Sequence, residues 1–237
     1  MAVVPKGRAS ASAAVTTATP VAKCPIAVRR SIAATFPMAL VDIINVPDSP
    51  TALVIVLGSA TPPGRLHRAL ATAAERATGR HPALTVTTID LATLEIPYAD
   101  GRPPAEASAD TARVVDAIAA ADAVVLASPT YRGSLTGALK NLIDHLPVPA
   151  LRAKPVAVVA IGASDHHFLG VDRHLRDILT FFGAATTPTS AYLTSRDFTD
   201  GAPSDEALAR LDALLDTTLL FAEHLGGEPL GPPPIGR

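Results

Sequence analysis

Cysteine is all but missing from this 237-residue chain: Cys24 is the only one, so no disulfide can close within the chain and no metal site can be built from several thiolates. Tryptophan is absent and aromatics make up only 4% of the residues, which leaves a core to be assembled from Ala, Val, Leu and Ile. Neither sign of charge is in excess. A formal net charge of −2 argues against a general nucleic-acid binder, whose footprint is basic. No apolar run reaches the roughly 20 residues of a membrane span, so the expected location is cytoplasmic. Several signatures also fail to occur. There is no Gly-Lys-Ser/Thr of a Walker loop, no Gly-x-Gly-x-x-Gly turn, and no Gly-x-Ser-x-Gly elbow, because Ser128 is followed by Pro129. The adjacent His166 and His167 are poor chelating partners and no cluster of Cys, Asp or Glu completes a set, so no metal is expected.

Acidic residues are missing from positions 1–40, which carry Lys6, Arg8, Lys23, Arg29 and Arg30 among Ala, Ser and Thr without helical or strand period. Residues 1–50 are expected to be a disordered basic extension. An acid-poor, Arg- and Ser-containing segment also fits a targeting peptide, although its apolar run breaks at Pro37 and Asp42 and shows no small-residue cleavage site; a true start at Met38 is a further reading. Residues 226–237, rich in Gly and Pro, are expected to form a loose tail.

What remains, residues 51–225, is expected to be one α/β domain. With 48% hydrophobic residues the chain can bury a substantial core. The stretch 121–146 organises it. Ala123, Val124, Val125, Leu126 and Ala127 are apolar without alternation, as a parallel strand covered on both faces requires. Pro129 has no N–H for a ladder and ends the strand. Leu135, Ala138, Leu139, Leu142, Ile143 and Leu146 then recur at helical spacing, with Ser134 placed to cap the helix. The same strand-to-helix pattern opens the domain. An apolar run at 52–57 stops at Gly58-Ser59, and a helix from about Arg65 buries Leu66, Ala69, Leu70, Ala73, Ala74 and Ala77 and stops at Gly79. A small-residue loop leading into a helix N-terminus is a natural anion site, because free N–H groups and the helix dipole both point at the ligand; phosphate is expected there. Further strands are expected over 84–89, 154–161 and within 186–193. Helices are expected over 105–120 with Ala112, Val115, Ile118 and Ala119 inward, from Phe168 to Gly183, and from Ser204. Strands alternating with helices predict a three-layer α/β sandwich with one parallel sheet.

The segment Pro129-Thr130-Tyr131-Arg132-Gly133-Ser134-Leu135-Thr136-Gly137-Ala138-Leu139-Lys140-Asn141 resembles the NAD(P)H-dependent FMN reductases, in which it typically reads Pro-Glu-Tyr-Asn-Gly-Ser-x-x-Gly-x-Leu-Lys-Asn. Thr130 and Arg132 are closer to the alkanesulfonate-system branch, where Pro-Val-Tyr-Lys is usual. The resemblance extends from about Ala52 to near Leu220 and implies a flavodoxin-like α/β/α sandwich with five parallel strands in the order 2-1-3-4-5, which places FMN at the crevice where sheet growth reverses. It further implies that the first loop, with Ser59, Arg65 and His67, holds the FMN phosphate. The second, with Pro129, Thr130, Tyr131, Arg132 and Ser134, lies along the isoalloxazine. The third, with Gly162, Ala163, Ser164 and His166, meets the ring's far edge, Ala163 replacing the family's second glycine. The first loop departs most, since Gly64, Leu66, His67 and Arg68 stand at or near positions where the family has hydroxyls. Weak retention of FMN is therefore expected.

The implied activity is hydride transfer from NADPH or NADH to FMN, with reduced FMN passed to a flavin-dependent monooxygenase and with no side chain required as acid or base. A bound-FMN reductase of quinones or azo dyes, a flavodoxin-like electron carrier and a flavin-independent interaction module stay open as alternatives. The family resemblance also implies a homodimer or homotetramer.

Overall fold

The computed structural model describes residues 51–61, 63–225 and 231–232. The basic extension expected over 1–50 lies outside the described residues, as does most of the tail after residue 225. Within them the apolar runs become strands β1 (Thr51–Leu57), β2 (Leu84–Asp90), β3 (Ala123–Pro129) and β4 (Pro155–Ile161). All are parallel, in the order β2-β1-β3-β4, and the outer position beside β4 is filled by two short pieces, β5 (Ala185–Thr186) and β6 (Ala191–Leu193). This is the doubly wound, flavodoxin-like order 2-1-3-4-5.

The lack of polar alternation in β1, β3 and β4 follows from cover on both faces. Val54, Val56, Val124, Leu126, Val156 and Val158 face the layer of α3 (Ala109–Ala120), α4 (Gly137–His145) and α5 (Gly170–Phe182). Their neighbours Leu53, Ile55, Val125, Ala127, Ala157 and Val159 face α1 (Arg65–Arg80) and α6 (Asp205–Leu225). The two outer helices are also joined at the surface. Arg76 and Arg80 both bind Asp212, at 2.6 and 2.9 Å, and Arg80 and His81 both reach Asp216.

Several boundaries differ from the sequence expectation. The helix expected over 105–120 is broken by Ser108, whose extended backbone (φ −166°) ends the short α2 (Pro104–Ala107) and whose hydroxyl accepts from the Thr111 N–H to start α3. Its inner face is Thr111, Val114, Val115 and Ile118; Ala119 is exposed, because a turn that buries Val114 removes more apolar surface from water than one that buries alanine. Gly79 lies inside α1, which runs one residue further to close on His81. Phe168 is exposed ahead of α5, whereas Gly183 ends that helix in the left-handed conformation (φ 68°) as expected. The fifth strand divides because Pro188 has no N–H for the ladder and the Thr187 hydroxyl turns back to the Thr189 carbonyl at 2.9 Å. An antiparallel hairpin, β7 (Phe198–Thr199) and β8 (Ala202–Pro203), precedes α6. Among the described residues no helix is long and apolar enough to cross a membrane.

Candidate functional site

The carboxyl ends of β1, β3 and β4 open onto a cleft of about 300 Å³. At its first wall β1 gives way to Gly58, which must be glycine: an added Cβ would lie 2.7 Å from Leu139 Cβ and 2.9 Å from the Ala127 carbonyl. The close approach is fixed by a buried chain of bonds. The Gly58 N–H donates to the Ala127 carbonyl at 2.7 Å, the Thr136 hydroxyl donates to the Gly58 carbonyl, and the Thr136 Oγ1 accepts from the Leu139 N–H at 3.1 Å. Thr136, not Ser134, is therefore the cap of α4, because only its side chain is within reach of the first-turn N–H groups. The Ser128 Oγ accepts from the Thr136 N–H at 3.0 Å, closing the chain. Ser128 and Thr136 are both buried, and neither stands out in the sequence as more than a strand end and a helix residue.

Ser59, Arg65 and His67 all line the cleft, with Thr61 and Gly64. The first turn of α1 has no side-chain cap and no acidic residue, so its N–H groups and the positive end of its dipole are left for an anion. The Ser59 hydroxyl is shared with Thr61, at 3.0 Å between oxygens and 3.2 Å from the Thr61 N–H. The Arg65 guanidinium lies over the Phe198 ring, 5.4 Å from its centroid. Arg68 is committed elsewhere, donating to the Gly201 carbonyl at 2.7 Å.

From the second loop Pro129, Thr130 and Tyr131 line the cleft. Thr130 donates its N–H to the Ile161 carbonyl at 2.7 Å and keeps a buried Oγ1 with no hydrogen-bond partner. Arg132 and Ser134 are not in the lining. They belong to a tight turn in which Tyr131 and Ser134 exchange backbone bonds of 2.9 and 3.1 Å, and the two residues between them have positive φ, 53° at Arg132 and 76° at Gly133. The turn is docked on α5: an added Cβ at Gly170 would collide with the Gly133 carbonyl, and Ser134 Oγ is 2.7 Å from His174 Nδ1.

Gly162 and Ala163 supply the third wall; Ser164 and His166 lie outside it and bond each other at 3.1 Å. Gly162 leaves room for Tyr192, whose hydroxyl an added Cβ would strike and which donates to the Ser164 carbonyl at 2.8 Å. Tyr192 thus holds this loop from β6. Asp90, at the end of β2, also borders the cleft, and its carboxylate accepts from the Ala92 N–H at 3.0 Å. Tyr192 and Asp90 carry no motif, and only the strand order brings them here. Among the described residues no three His, Cys, Asp or Glu side chains are grouped as a metal set.

A parallel sheet in this order, with its cleft at the switch point and an uncapped helix N-terminus in the wall, defines a flavodoxin-like fold whose cleft has a wall suited to an anion. Residues 51–199 match the family model for NADPH-dependent FMN reductase, and the chain belongs to that family. It is 34% identical over 170 residues to the NADH-dependent FMN reductase SfnF of Pseudomonas putida, covering 71% of this chain and 91% of the relative. With the NAD(P)H-dependent FAD/FMN reductase of Geobacillus thermodenitrificans it shares 34% identity over 119 residues, 50% of this chain and 64% of that one, so the match spans less than two thirds of that protein. Among solved structures, the apo form of the NADH:FMN oxidoreductase EMOB is similar with a TM-score of 0.60 at 25% identity, covering 73% of this chain and 88% of that one. The residues present fit FMN: the unpartnered Thr130 hydroxyl and the uncapped α1 turn beside Arg65 are polar groups that a phosphorylated, hydrogen-bonding ligand would satisfy.

Proposed function

We propose that the chain is an NAD(P)H-dependent FMN reductase that releases reduced FMN to a flavin-dependent monooxygenase. The observation that carries this reading is the uncapped, acid-free first turn of α1 in the wall of a cleft that is also lined by Thr130, whose buried hydroxyl has no partner. In this reading Ser59, Arg65, His67 and the α1 amides hold the phosphate. Pro129, Thr130 and Tyr131 bear on the flavin ring, and Gly162 and Ala163 bear on its edge. Arg132 and Ser134 shape the turn that presents Tyr131, while Ser164 and His166 steady the third loop. When bound, FMN supplies the hydride acceptor and the nicotinamide supplies the hydride, so the protein's work is to bind, orient and exclude water. Tyr131 lines the cleft and is 49% exposed, which leaves it open to an approaching nicotinamide.

FMN is proposed to be a substrate rather than a permanent group. Support comes from the small number of uncommitted side-chain donors near α1, since Ser59 is shared with Thr61 and Arg68 is held by Gly201. Exposed Phe168 and Leu169 beside the turn support a homo-oligomer.

The test is NADPH and NADH oxidation by flavin-stripped protein, titrated with FMN, FAD, riboflavin and a quinone. Saturable dependence on free FMN, with reduced FMN accumulating anaerobically, is expected. Stoichiometric FMN surviving purification would instead favour a bound-flavin reductase, and no turnover with no flavin binding would overturn the assignment.

A further inference from the structure

The β7–β8 hairpin is clamped against α1 at both ends. Its turn residues Asp200 (φ 49°) and Gly201 (φ 81°) both lie in the left-handed region, the two-residue turn that Asp-Gly favours. At the tip, Arg68 donates to the Gly201 carbonyl at 2.7 Å. At the base, Phe198 packs against the α1–α6 face of the core and sits under the Arg65 guanidinium. Behind it, Asp197 binds Arg210 of α6 and accepts from the Thr194 N–H at 2.6 Å. Phe198 is thus fixed from both sides.

The two arginines differ in what they have left to give. Arg68 has its Nε on a backbone carbonyl. Arg65 lines the cleft, and its side chain has no hydrogen bond or ion pair among the described residues; its one strong contact is the Phe198 ring. A cation at the first position of a helix is opposed by the dipole and needs something to hold it there. An aromatic ring holds a guanidinium by its face, which leaves the N–H donors around the edge free for a phosphate oxygen.

Building on the FMN reductase reading, we infer that Phe198 is a positioning residue for the flavin phosphate. It holds Arg65 at the cleft wall and so sets how strongly the site prefers a flavin carrying the 5′-phosphate to the same flavin without it.

The experiment compares dissociation constants for FMN and riboflavin, read by flavin fluorescence, in wild type, Phe198→Leu, Phe198→Tyr, Arg65→Gln and the Phe198→Leu/Arg65→Gln double variant, with a Tm for each. Wild type is expected to prefer FMN. Phe198→Leu is expected to lower that preference about three- to tenfold through FMN alone, the size of a partly exposed cation–π contact, and Phe198→Tyr to keep it. With Arg65 already replaced, Phe198→Leu is expected to change the preference no further. Equal weakening of both flavins, or a fall in Tm with the preference intact, would mark Phe198 as merely structural and overturn the inference. The same holds if Phe198→Leu acts as strongly without Arg65 as with it. A wild type that binds both flavins equally overturns the inference and leaves the reductase reading standing; one that binds neither overturns both.

Discussion

Thr130 carries an unsatisfied hydroxyl that the fold tolerates at the edge of the cleft. A buried polar group without a partner costs about 1–3 kcal/mol, whereas an apolar group of the same shape costs nothing comparable. Thr130→Val is therefore expected to raise the Tm of the flavin-free protein, by about 2–4 °C for each ~1 kcal/mol recovered in a domain of this size. The same change is expected to weaken FMN binding by about five- to tenfold, the worth of a typical hydrogen bond. Thermal unfolding with and without FMN reads both effects, and a lower Tm in the flavin-free variant would count against the role given to this hydroxyl. At this scale the sequence is legible where a motif places a residue in the cleft lining, as for Tyr131 and Gly162. It is opaque where a residue matters through partners distant in the chain: Thr136 reaches Gly58 across 78 positions and Tyr192 reaches Ser164 across 28.

The turn at 131–134 shows how one element stores strain beside a binding site. Arg132 has φ 53°, a conformation that costs a residue with a Cβ roughly 1–2 kcal/mol and that Asn adopts more readily, especially before Gly in a turn with two positive φ values. Arg132→Asn is expected to stabilise the protein by about 0.5–1 kcal/mol and Arg132→Val to destabilise it by about 1–2 kcal/mol, since a β-branched side chain is least suited to positive φ. Urea midpoints at constant m-value would measure both; equal midpoints for the two variants would mean that the turn is not strained. Elements were otherwise largely readable, because doubly covered strands leave unbroken apolar runs and helices leave stripes. The structure departs from these patterns where one polar atom decides. The Ser108 hydroxyl divides a helix, the Thr136 hydroxyl moves a cap by two residues, and Pro188 splits a strand.

Across the whole molecule, periodicity does not encode the order of the strands; the family resemblance implies it, and the parallel ladders bear it out. Invisible in the sequence is the surface network in which Arg76 of α1 meets Asp212 of α6, 136 positions away. Burial works against ionisation of Asp212, but hydrogen bonds from Arg76 and Arg80 outweigh it and hold the carboxyl below its ordinary 3.8. A carboxyl whose pKa is lower folded than unfolded adds stability above the unfolded value, and that share is lost as pH falls through the depressed one. Asp212→Asn is therefore expected to be less stable than wild type at pH 7, with the gap closing as pH falls through the unfolded carboxyl value and on through the depressed folded one. Urea denaturation across that range checks it, and a gap independent of pH would sink the assignment. The divided fifth strand acts at this scale too. A continuous outer strand would present a row of free amides and carbonyls on which strands from other chains could build. Here the rim offers only two residues, then a proline-bearing interruption, then three, so a foreign strand meets no ladder long enough to extend. The break guards this edge alone against pairing with another molecule, since the opposite edge, β2, is an unbroken strand of seven residues.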